Sequence, residues 1–254
     1  MTAWATRAAR PRGIRAVLFD LDDTLFAHRG AVEQGLLAHV RALGHPYDLT
    51  DAGTETRAWR DLEELHYHRY LAGEVDFQEQ RRHRARDYAA RHGVTLDRAD
   101  AGAWWSSYFE QYVANWRLHE DAVPCLDELA TGIPDVRFGI ITNGELAFQL
   151  HKIDAVRVRD RFDAIVASGE VGFAKPDARI FRLACERLGV TPAGAAYVGD
   201  RLGTDALGAA AAGLTGVWLD RYDGPVADDE REAAERLGVV RITGLAQLAA
   251  VLGG

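Results

Sequence analysis

Lysine is almost missing from this chain. Of its 30 basic residues only Lys152 and Lys175 are lysines, so arginine serves wherever a cation of either kind would do, and each remaining lysine needs a reason of its own. Cysteine is nearly as scarce. Cys125 and Cys185, each amid helical apolar residues, give no disulfide framework and fit core thiols in a reducing cytoplasm. No apolar run reaches the ~18 residues of a membrane span. The stretch around Arg7, Arg10 and Arg12 has no apolar segment of the signal-peptide kind, and residues 1–13 read as a mobile tail. A positive surplus is lacking too: the net charge of −8 argues against nucleic acid, whose backbone is met by basic surfaces. Small molecules are the expected partners, membranes are not, and a monomer or a homodimer fits equally well.

What the chain does have is one stretch around which the rest is organised. Ala16-Val17-Leu18-Phe19 is an unbroken apolar run, the pattern of a strand buried on both faces of a parallel sheet, and Asp20, Asp22 and Asp23 follow it directly. Side chains two apart on a strand share a face, so Asp20 and Asp22 are expected to point together. Two carboxylates so close repel each other and ask for a cation. Alone, the pattern would also fit an acid-rich loop. Its position just past the carboxyl end of a strand, where open α/β sheets hold their ligands, decides for a site.

From residue 29 to 121 the pattern is helical, with candidate helices over 31–43, 51–71, 77–92 and 98–116 parted by Gly44-His45-Pro46, Gly73 and His92-Gly93. The helix-spaced aromatics Trp105, Tyr108, Phe109 and Tyr112 predict the core of a small bundle. After Val123 strands and helices alternate: strands over 136–142, 164–168, 195–200, 216–219 and 239–242, helices over 145–156, 178–189 and 205–212. That alternation means a parallel sheet with right-handed crossovers, which the opening strand must join. The expected fold is α/β, a Rossmann-like doubly wound parallel sheet over 14–28 plus 122–254, with an all-helical domain inserted over 29–121.

Three further strand ends carry polar chemistry. Ile140-Ile141-Thr142-Asn143-Gly144 puts a hydroxyl and an amide at a helix start, a cradle for an anion, although an ordinary N-cap turn would read the same. Phe173-Ala174-Lys175-Pro176 sets a rare lysine before a proline that looks like the first residue of a helix; a compact ammonium can sit among several oxygens without the plane that arginine demands. Gly199-Asp200-Arg201-Leu202-Gly203-Thr204-Asp205 ends a strand in one acid and opens a helix with another.

Each motif is weak singly, but their order along one parallel sheet is specific. Together they resemble the haloacid dehalogenase-like hydrolase superfamily, in the subgroup with a helical cap after the first motif, over about 14–28 and 122–252. Thr204 is a departure, since many members carry Asn there. The resemblance implies a Mg²⁺-dependent phosphatase acting on a small phosphorylated metabolite, similar to members that act on sugar or nucleoside monophosphates. It implies that Asp20 attacks phosphorus and that Asp22 protonates the leaving alcohol and then deprotonates water. The metal would take Asp20, the backbone carbonyl of Asp22 and Asp200, while Asp205 orients metal-bound water. Thr142, the amide of Asn143 and Lys175 would hold phosphoryl oxygens, with Thr24 bracing the turn beside them.

Other chemistries within the superfamily leave different residues. Dehalogenases lack the second acid, which Asp22 supplies, and phosphonatases use a cap lysine, whereas no lysine lies between His28 and Asp121. A phosphomutase shares all four motifs, and a non-catalytic phosphate- or partner-binding protein could keep the fold. Substrate choice is expected to sit on the cap, with Phe26, His28 and Arg29 near its hinge and His66, His68, Arg69, Arg81 and Arg84 within it.

Overall fold

The structure, a computed structural model, describes residues 13–47 and 51–253. Residues 1–12 of the expected tail lie outside the described residues. The chain forms two compact units, one made of the described residues up to Ala27 and from Arg117 onward, the other of His28–Trp116.

In the first unit β1 (Ala16–Phe19) leaves the sheet for a tight turn. The second unit follows as α1 (His28–Leu43), α2 (Ala52–Leu71), α3 (Phe77–Arg91) and α4 (Arg98–Ala114). Asp51, Asp76 and Asp97 cap the last three of these by accepting backbone N–H groups of the first turn, the role a short acidic side chain performs best at that position. Trp59, Tyr88, Trp104, Tyr108 and Tyr112 fill the interior of this unit, with Trp59 Nε1 donating to the Tyr108 hydroxyl at 3.2 Å. Trp105 and Phe109 are only half-buried. A side chain at Gly35 would collide with the backbone of Tyr112, so α1 and α4 cross at this residue.

The first unit resumes with α5 (Ala122–Gly132), β2 (Arg137–Thr142), α6 (Leu146–Ala155), β3 (Ala164–Ala167), α7 (Ser168–Val171), α8 (Ala178–Arg187) and β4 (Ala195–Gly199). A π-helical turn, Leu202–Leu207, runs into α9 (Gly208–Ala211), followed by β5 (Thr215–Leu219), α10 (Asp228–Leu237), β6 (Val240–Ile242) and α11 (Leu248–Leu252). All pairings are parallel, in the order β3-β2-β1-β4-β5-β6. This is the doubly wound arrangement whose ligand crevice opens where the strand order reverses, here between β1 and β4. Both strands are buried along their whole length, because crossover helices cover both sheet faces.

The expected boundaries differ from the observed ones in a physical way. The sequence placed the second change-over at 121/122, whereas residues after Trp116 already belong to the sheet unit: Ala27 N–H donates to the Arg117 carbonyl and His119 N–H to that of Leu25. Helices α5, α7, α10 and α11 escaped the reading, α7 and α11 being only four and five residues long. Helix α10 buries only Ala234, so it has no apolar face to show; α5 buries Ala122, Cys125, Leu126 and Leu129 but carries Pro124 in its first turn, where proline is tolerated. Pro176 precedes α8 rather than opening it, since Asp177 is that helix's N-cap.

Candidate functional site

At the reversal point β1 hands over to Asp20, whose N–H donates to the Val198 carbonyl of β4 at 2.8 Å. Asp20 is thereby fixed on the sheet rim, and its side chain is 9 % exposed. Beyond it the chain turns back: Leu25 and Phe26 N–H groups both donate to the Leu21 carbonyl, and Asp23 takes a left-handed φ of 60°. Arg221 clamps this turn by donating to the Asp23 and Thr24 carbonyls while pairing with both oxygens of Asp121.

Lys175 lies at the centre of the acids. Its buried Nζ donates to Asp20 Oδ1 at 2.6 Å, to Asp205 Oδ1 at 2.7 Å and to the Tyr197 hydroxyl at 2.8 Å. Asn143 holds the lysine by its backbone, Oδ1 accepting from Lys175 N–H at 2.9 Å and Nδ2 donating to the Lys175 carbonyl at 3.0 Å. Asp205 is locked in turn: Oδ2 accepts the Arg201 N–H at 3.0 Å, and its side chain crosses Gly199 so closely that any Cβ there would collide with it. The expected helix start at Asp205 is therefore the interior of the π-turn.

Asp20, Asp200 and Asp205 each offer one carboxylate oxygen within 4.8 Å of the others. Burial pushes the Asp20 carboxyl up, against the opposing pull of Lys175, and Asp205 and Asp22 push the same way as burial. Asp200 is likewise raised well above the usual carboxylate range by burial and then by Asp20 and Asp205. For Lys175 burial disfavours the charge, yet Asp20 and Asp205 outweigh it and keep the ammonium protonated. So many acids around one ammonium leave the cluster short of positive charge. An all-oxygen donor set of this density fits a hard divalent cation such as Mg²⁺.

The remaining expected residues fall close by. Thr142 ends β2, buried, its Oγ1 accepting from Gln149 Nε2 at 2.9 Å. Thr24 is fully buried, and its hydroxyl has no hydrogen-bond partner among the described residues. Asp22 behaves differently from the strand-based expectation. Because β1 stops at Phe19, its carboxylate does not share the Lys175 cluster; Lys152 Nζ donates to both oxygens at 2.7 and 2.9 Å, and Gln149 reaches Oδ2 at 3.3 Å. Lys152, Gln149, Tyr197 and Arg221 were missed by sequence reasoning. Only Lys152 carried a usable signal, as the second of the two lysines.

Within the helical unit, His66 meets Asp87 at 2.7 Å and His68 meets Glu64 at 2.8 Å, so the two histidines face different partners. Arg69 pairs with Glu74 at 3.0 Å. Arg84 is buried over the Trp59 and Trp105 rings and pairs with Glu63 at 3.0 Å, and Arg81 lies over the Phe77 ring.

Residues 14–213 match the haloacid dehalogenase-like hydrolase family. The chain belongs to that family. Among curated relatives of this hydrolase, glyceraldehyde 3-phosphate phosphatase from Methanopyrus kandleri is 32% identical over 209 residues, 82% of this chain and 84% of the relative. N-acylneuraminate-9-phosphatase from Rattus norvegicus is 31% identical over 214 residues, 83% of this chain and 84% of the relative. Among solved structures the magnesium-bound HAD-hydrolase YfnB from Bacillus subtilis superposes with a TM-score of 0.74 at 20% identity, covering 95% of this chain and 99% of that one. The hydrolase fold is thus shared with YfnB, and the relatives matched along most of their length are phosphatases. No described helix is long and apolar enough to cross a membrane.

Proposed function

We propose that this HAD-like hydrolase is a Mg²⁺-dependent phosphomonoesterase that works through an aspartyl-phosphate on Asp20. The observation that carries the reading is Asp20 itself, a buried carboxylate whose Oδ1 is bound by Lys175 while Asp200 and Asp205 stand within 4.8 Å. Asp20, Asp200 and the backbone carbonyl of Asp22 would hold the metal. When bound it neutralises charge on the phosphoryl oxygens, so that an anionic nucleophile can approach an anionic ester. Asp205, already committed to Lys175, Tyr197 and the Arg201 N–H, keeps Lys175 and the rim in place rather than binding substrate.

The chain's own groups then divide the work. An Asp20 oxygen forms the new bond to phosphorus as the ester oxygen departs, and the Asp22 carboxyl gives that oxygen its proton. The same Asp22, now a carboxylate, takes a proton from water as the water oxygen attacks phosphorus and the Asp20–phosphorus bond breaks. Thr142, the Asn143 N–H and Lys175 receive the remaining phosphoryl oxygens, with Thr24 beside them. The names of the two relatives, a triose phosphate and a sugar-acid phosphate phosphatase, support a small phosphorylated carbohydrate as substrate. A panel of phosphorylated metabolites assayed for free phosphate tests this. Release is expected with Mg²⁺, none in EDTA and none from Asp20→Asn; an undiminished rate in thoroughly chelated enzyme refutes the assignment.

A further inference from the structure

We propose that Lys152, together with Gln149, is the positioning residue for the proton-transferring carboxyl of Asp22, a role that rests on the phosphatase reading above. Both side chains come from α6. Residues three apart on a helix share a face, and this face meets Asp22: Lys152 Nζ lies 2.7 and 2.9 Å from its two oxygens, and Gln149 Nε2 lies 3.3 Å from one of them. Gln149 is tied at the same time to Thr142 Oγ1 at 2.9 Å. One helix face therefore sets the carboxyl of the turn and the hydroxyl of β2 together.

Burial makes this pairing more than a surface ion pair. The Lys152 side chain is 2 % exposed, its Nζ 5.3 Å from the Phe26 ring centre and 4.9 Å from that of Phe148. An ammonium so enclosed has few directions in which to point, and a carboxylate bound by both oxygens has few torsions left. The division of lysines is the second observation. A chain that uses arginine almost everywhere keeps lysine in two places, and each is buried on one aspartate of the first motif, Lys175 on Asp20 and Lys152 on Asp22. A single rotatable ammonium fits a narrow slot where a guanidinium plane would not. Held apart by separate cations, the two carboxylates keep different orientations despite their two-residue spacing, one turned toward the sheet rim and the other toward α6.

The test exploits what Asp22 is for. Protonation of the departing oxygen matters greatly for an alkyl ester and little for p-nitrophenolate, a good leaving group. Apparent kcat/KM reports the steps up to the first irreversible one and leaves out hydrolysis of the phospho-enzyme. We expect Lys152→Met, checked for folding by circular dichroism, to lower kcat/KM for glycerol phosphate about 100-fold and that for p-nitrophenyl phosphate less than about 10-fold. An equal loss on both esters, or none, overturns the proposal and leaves Lys152 a structural ion pair. If the Met variant does not fold, Lys152→Gln is read by the same ratio. Wild type and Asp20→Asn serve as controls: a wild type that releases no phosphate from either ester brings down the phosphatase reading, whereas an active wild type with an inert Asp20→Asn leaves the ester ratio to report on Lys152 alone.

Discussion

Replacing Lys175 with methionine removes the ammonium that touches Asp20 and Asp205, at 2.6 and 2.7 Å, while keeping nearly the same bulk. Breaking a buried pair from one side leaves an uncompensated charge and costs about 3–5 kcal/mol. Here two pairs are lost, and Asp200 stands in the same cluster, so the upper end of that range applies at neutral pH. In a domain of this size the loss lowers the thermal midpoint on the order of 10 °C. The pH dependence is the sharper signature. Without the ammonium, burial and mutual repulsion hold the Asp20 carboxyl further above its unfolded value of about 3.9. A carboxyl with a raised folded value contributes its stability when protonated, fully below the unfolded value, and loses it as pH climbs through the folded one. The deficit of Lys175→Met against wild type should therefore be widest near pH 8 and narrow toward pH 5, read by thermal unfolding across that range without metal. An unchanged midpoint near pH 8, or a deficit equal at both ends, refutes the view that Lys175 supplies the charge holding the acids together.

Gly199→Ala should collide with the Asp205 side chain, costing about 1–3 kcal/mol of stability and lowering the phosphatase rate at least about tenfold through the displaced Asp205–Lys175 pair; Gly102→Ala within α4, whose new methyl would meet nothing closer than Arg82 Nε at 3.8 Å, is the unstrained control, expected to keep its rate and to gain about 0.5–1 kcal/mol of stability from the better helix former, and equal behaviour of the two variants in urea and in the phosphate assay removes the packing argument. In the helical unit burial holds His39 down to about 4 from its usual 6.5, so the unfolded chain takes up a proton that the folded one refuses. Stability should fall as pH drops from 6.5 toward 4 by on the order of 2 kcal/mol, and His39→Leu should flatten that part of the urea-midpoint profile; parallel profiles for the two proteins would discount the histidine.

Much of the fold could be read without coordinates because its signals are local. A strand buried on both faces must be apolar throughout, and the runs at Val17, Ile140 and Val198 are. Helix α10 could not be read, since its burial amounts to Ala234. At the site, Asp20, Thr142, Lys175, Asp200 and Asp205 each follow a strand or sit at a turn where residue type and place together betray them. Tyr197, Gln149 and Arg221 sit among ordinary residues of their kinds. They matter only because the fold brings them to an oxygen, and no spacing along the chain announces that.

The amino-acid sequence by itself determined the layer architecture, the helical insertion and the strand ends that carry acids, because burial and backbone periodicity are written residue by residue. Tertiary structure alone decided how charges pair. Asp20 and Asp22, two residues apart, part company because β1 ends between Phe19 and Asp20 and the chain turns. Each carboxylate then takes the nearest buried ammonium, one from 155 residues away and the other from 130. Coulomb attraction depends on distance in space, and only the folded sheet sets that distance.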